Sequence, residues 1–514
     1  MFWAAVLISL TLYSAIDSFS TWKHVRKQSE HAFIGSLSRY IPRFIHNLLF
    51  AGRASRIVTQ SYRKFKERSF QIVRDEGSIV VLPVSVVEEL STLPTSVASP
   101  YGALEHDLLG RYTGLDVILE SRLHHTIVQR KLTPRLGSLS IGLEQELTCA
   151  FKDHFPPVGE GWVEFQPYQV FAKIAARLSA EVIVGPAFAR NPIWLGIAVN
   201  YTESLFKTVV ILRLFPSWIR PIIGRLLPGS WNGRRYIDSA KKLLGPKIGA
   251  LLEESDAGSL EPEVDSENFN VLGWLANLAK GRERELDNIA HTEVLLALAS
   301  VHTTLLRILN VLYDITARPE LFEQLEEEIM AVATSSQGWN EPYDRLMKLD
   351  SVLRESQRIS PPTTLGMKRR FKKSHTFQNG LHISEGTYAC LPTYAIENDP
   401  RNTVDPETYD GLRSYRKRMQ KLSRGDTRGS KEDQFSYGND PAALNFGYGK
   451  WACPGRYFAS MMIKMVFVKL VTEYDFKFLP GRGRPDNIEL HEFLFVLPGE
   501  RLLVKRKSVG TCPF

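Results

Sequence analysis

The stretch LNFGYGKWACPGRYFA, residues 444–459, decides how the rest of the chain is read. Cys453 lies in a loop with Gly447, Gly449 and Gly455 around it, and an apolar run, YFASMMIKMVFVKLV, follows. Glycine admits positive φ and lets backbone N–H groups close on a buried sulfur. Hydrogen bonds to a thiolate then tune its donor strength. A helix opening just past the cysteine favours negative charge at the sulfur, and Pro454 suits the first helical turn. Such a loop is suited to hold a deprotonated cysteine against a metal. The residues alone leave a second reading open, a free buried cysteine ahead of a core helix.

Two earlier stretches carry further chemistry. In LMKLDSVLRESQRISPP, residues 346–362, Glu355 and Arg358 stand three apart on a predicted helix and share a face, and Pro361-Pro362 closes it. By itself such a pair reads equally as a solvated surface contact. In TEVLLALASVHTTLLRILNVLYDI, residues 292–315, Ser300, His302, Thr303 and Thr304 interrupt an otherwise apolar helix. Taken alone, the hydroxyls bond back to the preceding turn and His302 meets a core partner.

The 514 residues are 44% hydrophobic and 23% charged, a globular balance that excludes a disordered, collagenous or polytopic membrane chain. Four cysteines (Cys149, Cys390, Cys453, Cys512) with no Cys-x-x-Cys pair exclude a disulfide framework and a structural zinc cluster. The net charge of +8 is unevenly placed. Residues 1–69 hold 11 lysines and arginines against three acids, and residues 413–431 hold eight against Asp426 alone. The remainder is mildly acidic, so the chain is an acidic body with two basic patches, and nucleic acid is not its expected partner.

The first patch follows MFWAAVLISLTLYSAI, residues 1–16. As a helix this run spans roughly 24 Å, and continuation through Phe19 to Trp22 completes a bilayer crossing. Residues 1–22 are therefore expected to be a single signal anchor, with Lys23, Arg26 and Lys27 holding the body on the cytosolic side. Residues 23–57 follow as a basic, membrane-proximal linker, and residues 58–514 as one catalytic domain. Within it, residues 58–69 predict a basic helix, and residues 70–83 a β-hairpin around Asp75-Glu76-Gly77. The hairpin's partner strands are expected near residues 380–395. Residues 84–360 are dominated by helical periodicity, broken by an acidic surface loop at residues 255–268. The expected fold is mainly α with small β-sheets, plus the N-terminal anchor helix.

The pattern Phe446-x-x-Gly449-x-x-x-Cys453-x-Gly455-x-x-x-Ala459 resembles the haem-ligand loop of the cytochrome P450 superfamily. The resemblance makes Cys453 the axial ligand of haem b, with Phe446 beside the sulfur and Gly449 in the turn beneath the haem. The family usually has Arg or His two residues before the cysteine, contacting a haem propionate. Here that residue is Trp451, which brings an N–H but no charge, with Lys450 as its neighbour. Glu355 and Arg358 resemble the family's Glu-x-x-Arg helix, and Arg413 its third member, all three as structural support. Ala299-Ser300-Val301-His302-Thr303 resembles the distal haem helix, with Ser300 in place of glycine and His302 in place of the acid. Thr303 and His302 are thereby the implied proton-delivery residues, and Arg130 and Arg369 implied propionate contacts.

The resemblance spans roughly residues 30–510 and is greatest to fungal microsomal ent-kaurene-oxidase-like and indole-diterpene oxidases. It implies a monomeric monooxygenase acting on a small lipophilic substrate, a terpenoid. Electrons would come from NADPH through NADPH–cytochrome P450 reductase on the endoplasmic reticulum membrane. It leaves open a haem-thiolate isomerase, dehydratase or desaturase and, in another class, a haem sensor.

Overall fold

In the computed structural model the described residues are 16, 19, 31–34, 43–74, 77–119, 121–262, 268–425 and 435–514. The expected anchor falls outside them except for Ile16 and Phe19, which are helical and exposed. Asp75-Glu76 of the hairpin turn, residues 263–267 of the acidic loop and residues 426–431 of the second basic patch also lie outside.

Nine helices position the site. They are α1 (Arg43–Lys64), α2 (Pro100–Asp107), α3 (Pro167–Ile183), α4 (Pro192–Leu212), α5 (Arg220–Leu226), α6 (Leu286–Thr316), α7 (Met347–Ile359), α8 (Arg413–Ser423) and α9 (Arg456–Glu473). The central one is α6, which at 31 residues is roughly 47 Å long. From Leu305 to Thr316 it is buried almost all round, the signature of a core helix. It packs on α3, α4, α7 and α9. Both α4 and α6 are long and apolar enough to span a bilayer, yet 50% and 78% of their apolar windows are buried inside the protein. Their apolarity serves the core.

The expected hairpin forms between β2 (Phe70–Arg74) and β3 (Gly77–Val81), with Phe70 opposite Val81 and Ile72 opposite Ile79. It joins a six-stranded sheet with β1 (Ala32–Ile34), β4 (Ala98–Ser99), β6 (Gly366–Phe371) and β7 (Tyr388–Leu391), in the order β1-β2-β3-β7-β6-β4. The late partner strand is β7, parallel to β3, as the β-rich run near residues 380–395 predicts. In a three-stranded sheet β11 (Leu502–Arg506) is central, pairing β5 (Val163–Phe165) on one side and β8 (Tyr474–Phe478) on the other. The small hairpin β9 (Ile488–Leu490) and β10 (Phe493–Phe495) completes the layout.

Two local expectations are corrected. Arg43–Lys64 is two helical pieces meeting at a kink at Arg53 (φ −147), so the basic helix starts just past that kink and not at residue 58, and Phe50, Ala54 and Val58 share one core cluster with Phe70 and Ile79. The packed body therefore reaches back into the segment expected to be a linker, because apolar residues of α1 have the sheet to cover. Pro454 lies outside the first turn: Gly455 is the N-cap and α9 begins at Arg456.

Candidate active site

The loop around Cys453 is set by two left-handed glycines. Gly447 has φ +77 and Gly449 φ +63, a region that penalises any Cβ. A Cβ on Gly449 would also stand 2.7 Å from Ser91 Oγ. Between them the chain turns back, and the Cys453 N–H donates to Phe446 O at 2.7 Å. Gly455 differs, with φ −88 and nothing within 4 Å of a Cβ placed there, so the chain's own packing does not demand glycine.

The loop is tied to the body by polar contacts that no local sequence signal announced. The Gly449 N–H donates to Asn439 Oδ1 at 2.9 Å. Arg354 on α7 pairs with Asp440 at 2.6 Å, and Asn445 donates its amide to Glu397. Burial pushes the Glu397 carboxyl up to about 7. All are solitary polar residues whose partners lie ten or more positions away.

Cys453 is open to contact at its own surface, yet it lies deep in the fold. The two facts agree for a sulfur that lines an internal recess. Burial raises its thiol pKa. The backbone N–H groups of Gly455 and Arg456 and the Arg456 guanidinium act the other way without overcoming it. A cation at the sulfur would shift that balance outright to thiolate.

Trp451, two residues earlier, sits in a cluster of rings and cations. Tyr101 meets it edge-on at 6.0 Å, and the guanidinium carbons of Arg122 and Arg369 lie 4.8 and 5.8 Å from its ring centroids. His124 packs edge-on against Tyr101 at 6.1 Å. Arg369 is 2% exposed, and its Nε and Nη2 have no partner; the same holds for Trp451 Nε1 and Tyr101 Oη. Burial lowers the Arg369 pKa to about 10. A buried guanidinium with unmet N–H groups is costly unless an anion meets it. Arg369, Trp451 and Tyr101 thus form a donor set for a carboxylate beside Cys453. Together with the cysteine this fits the sulfur-ligated iron and propionates of haem b.

Two expected contacts lie elsewhere. Arg130 is exposed on the segment Val128–Leu132, and it is Arg122 and His124 of the preceding stretch that reach the Trp451 cluster. Lys450 donates to Thr92 O, so its ammonium is used on that side of the loop.

On α6, Ala299 and Thr303 are exposed, while Leu298, Val301, His302, Thr304 and Leu305 around them are buried. Four residues apart, the exposed pair marks one open face on an otherwise buried helix. Thr303 Oγ1 donates to Ala299 O at 2.6 Å. His302, one residue and about 100° away, is turned into the packed interior and has no hydrogen-bond partner for either ring nitrogen. Burial lowers its pKa to about 4 against a smaller raising effect of Glu203 on α4. Its imidazole is neutral at pH 7 and does not share Thr303's face.

Glu355 and Arg358 are each 3% exposed and form a two-pronged ion pair, Nε to Oε2 at 3.0 Å and Nη2 to Oε1 at 2.6 Å. Arg413 Nε reaches both Glu355 oxygens at 3.4 and 3.3 Å. Arg358 also donates to Pro406 O at 2.6 Å and Thr408 O at 3.2 Å, so the trio clamps the segment that leads into α8.

Comparison with known proteins agrees with this geometry. A family model described as Cytochrome P450 matches residues 122–506. Cytochrome P450 monooxygenase AN1598 of Emericella nidulans is 35% identical over 504 residues, covering 98% of this chain and 92% of that one. The ent-kaurene oxidase of Gibberella intermedia is 33% identical, covering 93% and 88%, and cytochrome P450 monooxygenase paxP of Penicillium paxilli is 32% identical, covering 91% and 89%. Among solved structures, retinoic acid bound cyanobacterial CYP120A1 superposes with a TM-score of 0.62 at 18% identity, covering 90% and 96%, which is a likeness of fold.

Proposed function

The chain belongs to the cytochrome P450 family, and from that premise we propose that it inserts one oxygen atom of O2 into a C–H bond, or across a double bond, of a lipophilic terpenoid secondary metabolite. The observation that carries this reading is the recess lined by Cys453, with Arg369, Trp451 and Tyr101 offering unmet donors beside it. Ent-kaurene oxidase and paxP among the relatives support the terpenoid class.

Bound haem supplies a thiolate-ligated iron at which dioxygen is activated. The chain's own residues do the rest. Cys453 would supply the thiolate, and the unmet N–H groups of Arg369 and Trp451 would hold a propionate. Thr303 presents its hydroxyl oxygen on the open face of α6 and, with its own proton committed to Ala299 O, would accept a hydrogen bond from and order a water that carries the proton. Its hydrogen bond to Ala299 O fixes the hydroxyl's direction. His302, neutral and facing inward, takes no part as an imidazolium at pH 7.

Electrons come from a redox partner, which we assign to NADPH–cytochrome P450 reductase at the endoplasmic reticulum membrane. Trp218, Ile222, Leu226 and Trp231 are all exposed in and around α5, with Arg225 on the same short helix, and this apolar, basic surface suits contact with a lipid headgroup layer. The other basic surface is α8. There Arg416 pairs with Asp410, Arg418 stacks on Phe435 at 4.2 Å, and Lys417 is exposed. Neutralising Arg416 and Lys417 is expected to slow first-electron transfer from reductase and to flatten its salt dependence in stopped-flow reduction. Unchanged kinetics would make α8 a solvated surface.

The function is tested with microsomes bearing the chain and reductase, supplied with NADPH, 18O2 and a panel of di- and sesquiterpenes. One labelled oxygen per product is expected. Products without label would favour the isomerase, dehydratase or desaturase reading, and haem binding with no NADPH consumption across the panel would favour a sensor. Thr303→Ala is expected to lower product formed per NADPH by about tenfold or more while peroxide rises. Unchanged coupling would remove Thr303 from proton delivery.

A further inference from the structure

Three tyrosines, Tyr343, Tyr437 and Tyr457, line a recess of about 540 Å³ that Asp344 and Arg418 of α8 also border. Tyr457 lies in the first turn of α9, four residues past Cys453. Arg456 joins it to the cysteine loop. One arm of the guanidinium donates to Cys453 O at 3.1 Å, the other to Tyr457 Oη at 2.9 Å, and its carbon stands 4.3 Å from the Tyr457 ring centre. The Tyr457 ring centre is 4.9 Å from that of Tyr437, which in turn stacks on Phe435 at 5.0 Å and an interplanar angle of 5°. The strip that carries Phe435 and Tyr437 is pinned between two helices. Ser436 gives its N–H and its hydroxyl to Asp350 of α7 at 2.7 and 2.9 Å, and Lys464 of α9 pairs with the same carboxylate at 2.8 Å.

Tyr437 is 7% exposed, and its phenol donates to Asp344 Oδ1 at 3.1 Å, while Asp344 itself is exposed. Burial, with the charges of Asp344 and Asp350, raises the phenol's pKa, so at pH 7 the ring keeps its proton until it is oxidised. A phenol that has lost one electron is a strong acid, and a carboxylate already bonded to it takes the proton with no movement. Tyr437 thus has what a one-electron donor needs: an adjoining ring on the Cys453 side and a proton acceptor open to water. Packing alone asks only for a ring at 437, as Phe435 beside it shows. At Tyr457 the Arg456 cation lies on the ring and opposes loss of an electron. The nearest cation to the Tyr437 ring is more distant, Lys464 at 5.7 Å, and Asp350 meets its charge. An electron vacancy entering at Tyr457 therefore settles on Tyr437.

We propose that Tyr457 and Tyr437 form an electron-release route: when an oxidant activated at the Cys453 site meets no substrate, electrons pass from Tyr437 through Tyr457 to the site, the Tyr437 proton goes to Asp344, and the haem pocket is spared. This rests on the haem-site reading above. With a peracid as oxidant, the site takes up two electrons and two protons as the O–O bond breaks, and acid and water leave. Tyr437 supplies the electrons one at a time, each time becoming a neutral phenoxyl radical with its proton on Asp344. Ascorbate at the recess returns one electron and one proton per turn, and two turns consume one peracid.

The test mixes the full, ferric haem-loaded chain with peracetic acid, without substrate, and freezes it for electron paramagnetic resonance. A tyrosyl signal is expected, narrowed when the chain carries ring-deuterated tyrosine and lost in Tyr437→Phe. Asp344→Asn keeps the stack and removes the proton acceptor, so the signal is expected to form severalfold more slowly. Tyr343→Phe, whose ring lines the same recess but whose phenol donates to Glu144, is expected to leave the signal unchanged. Haem is expected to bleach severalfold faster in Tyr437→Phe, and ascorbate, which slows bleaching in the parent, no longer protects. The reduced carbon monoxide spectrum of each variant should match the parent. A signal undiminished in Tyr437→Phe, or lost equally in Tyr343→Phe, overturns the proposal, as does bleaching of the parent with no tyrosyl signal. If the parent lacks the thiolate band in its reduced carbon monoxide complex, the haem-site reading and the route fail together. An intact band with a signal unmoved by Tyr437→Phe overturns the route alone.

Discussion

Cys453→Ala is expected to abolish oxygenation, a loss of at least about a thousandfold, and to remove the long-wavelength band that the reduced carbon monoxide complex owes to thiolate ligation. The fold is expected to survive. The loop is held by backbone and neighbouring side chains: Cys453 N–H to Phe446 O, Gly449 N–H to Asn439, Arg354 to Asp440. None needs the sulfur. Far-ultraviolet circular dichroism of the variant should therefore match the parent. Haem retention should fall without vanishing, because Arg369, Trp451 and Tyr101 remain to meet the propionates. Persistence of the long-wavelength band in the variant would refute the ligand assignment, whatever the activity.

The second large effect falls on stability. Arg358→Ala removes one partner of a buried pair and leaves Glu355, 3% exposed, with the Asp410 N–H at 2.9 Å and the longer contacts from Arg413. Stranding one member of such a pair costs about 3–5 kcal/mol, a large part of the ~5–15 kcal/mol by which domains are stable. The same change frees Pro406 O and removes one of the two donors to Thr408 O, which keeps Arg413 Nη2 at 2.9 Å, so the clamp on the segment before α8 is weakened. Little folded, haem-loaded protein is expected. Arg413→Ala is the internal control. Its Nε lies 3.3–3.4 Å from Glu355 and its side chain is 21% exposed. A smaller cost of about 1–2 kcal/mol is expected. Urea titrations that rank Arg413→Ala at or above Arg358→Ala would contradict the assignment of Arg358 as the keystone.

These sites differ in how far the sequence discloses them. The Cys453 loop and the Glu355–Arg358 pair are legible because both are local: two glycines and a cysteine within seven residues, and two charges one helical turn apart. The hairpin at residues 70–83 is legible for the same reason. What stays hidden is set by contacts between distant positions. Trp451 looks like a missing charge in isolation; the resemblance names Arg369 as a propionate contact, but its place at Trp451 and the added Arg122 show only in the structure. His302 looks like an acid substitute beside Thr303, but which way a helical side chain faces depends on what packs there, and α4 packs there. Arg130 and Arg122 are equally plausible arginines in a basic stretch until the rings of Tyr101 and Trp451 select one.

The order of the six-stranded sheet has a consequence for how the chain is made. The inner partner of β3 is β7, whose Cys390 pairs with Val81, so an apolar strand completed early must wait for roughly 300 further residues before its edge is covered. At a ribosomal pace of about 5–20 residues per second, that wait is roughly 15–60 seconds. Throughout it Ile79, Val80 and Val81 present an open, β-rich edge of the kind that recruits other strands. The growing chain therefore has an interval of vulnerability early in synthesis, in which α1 can cover one face of the hairpin at Phe70 and Ile79, and Val86, Val87 and Leu90 the other at Val80, while the edge stays open.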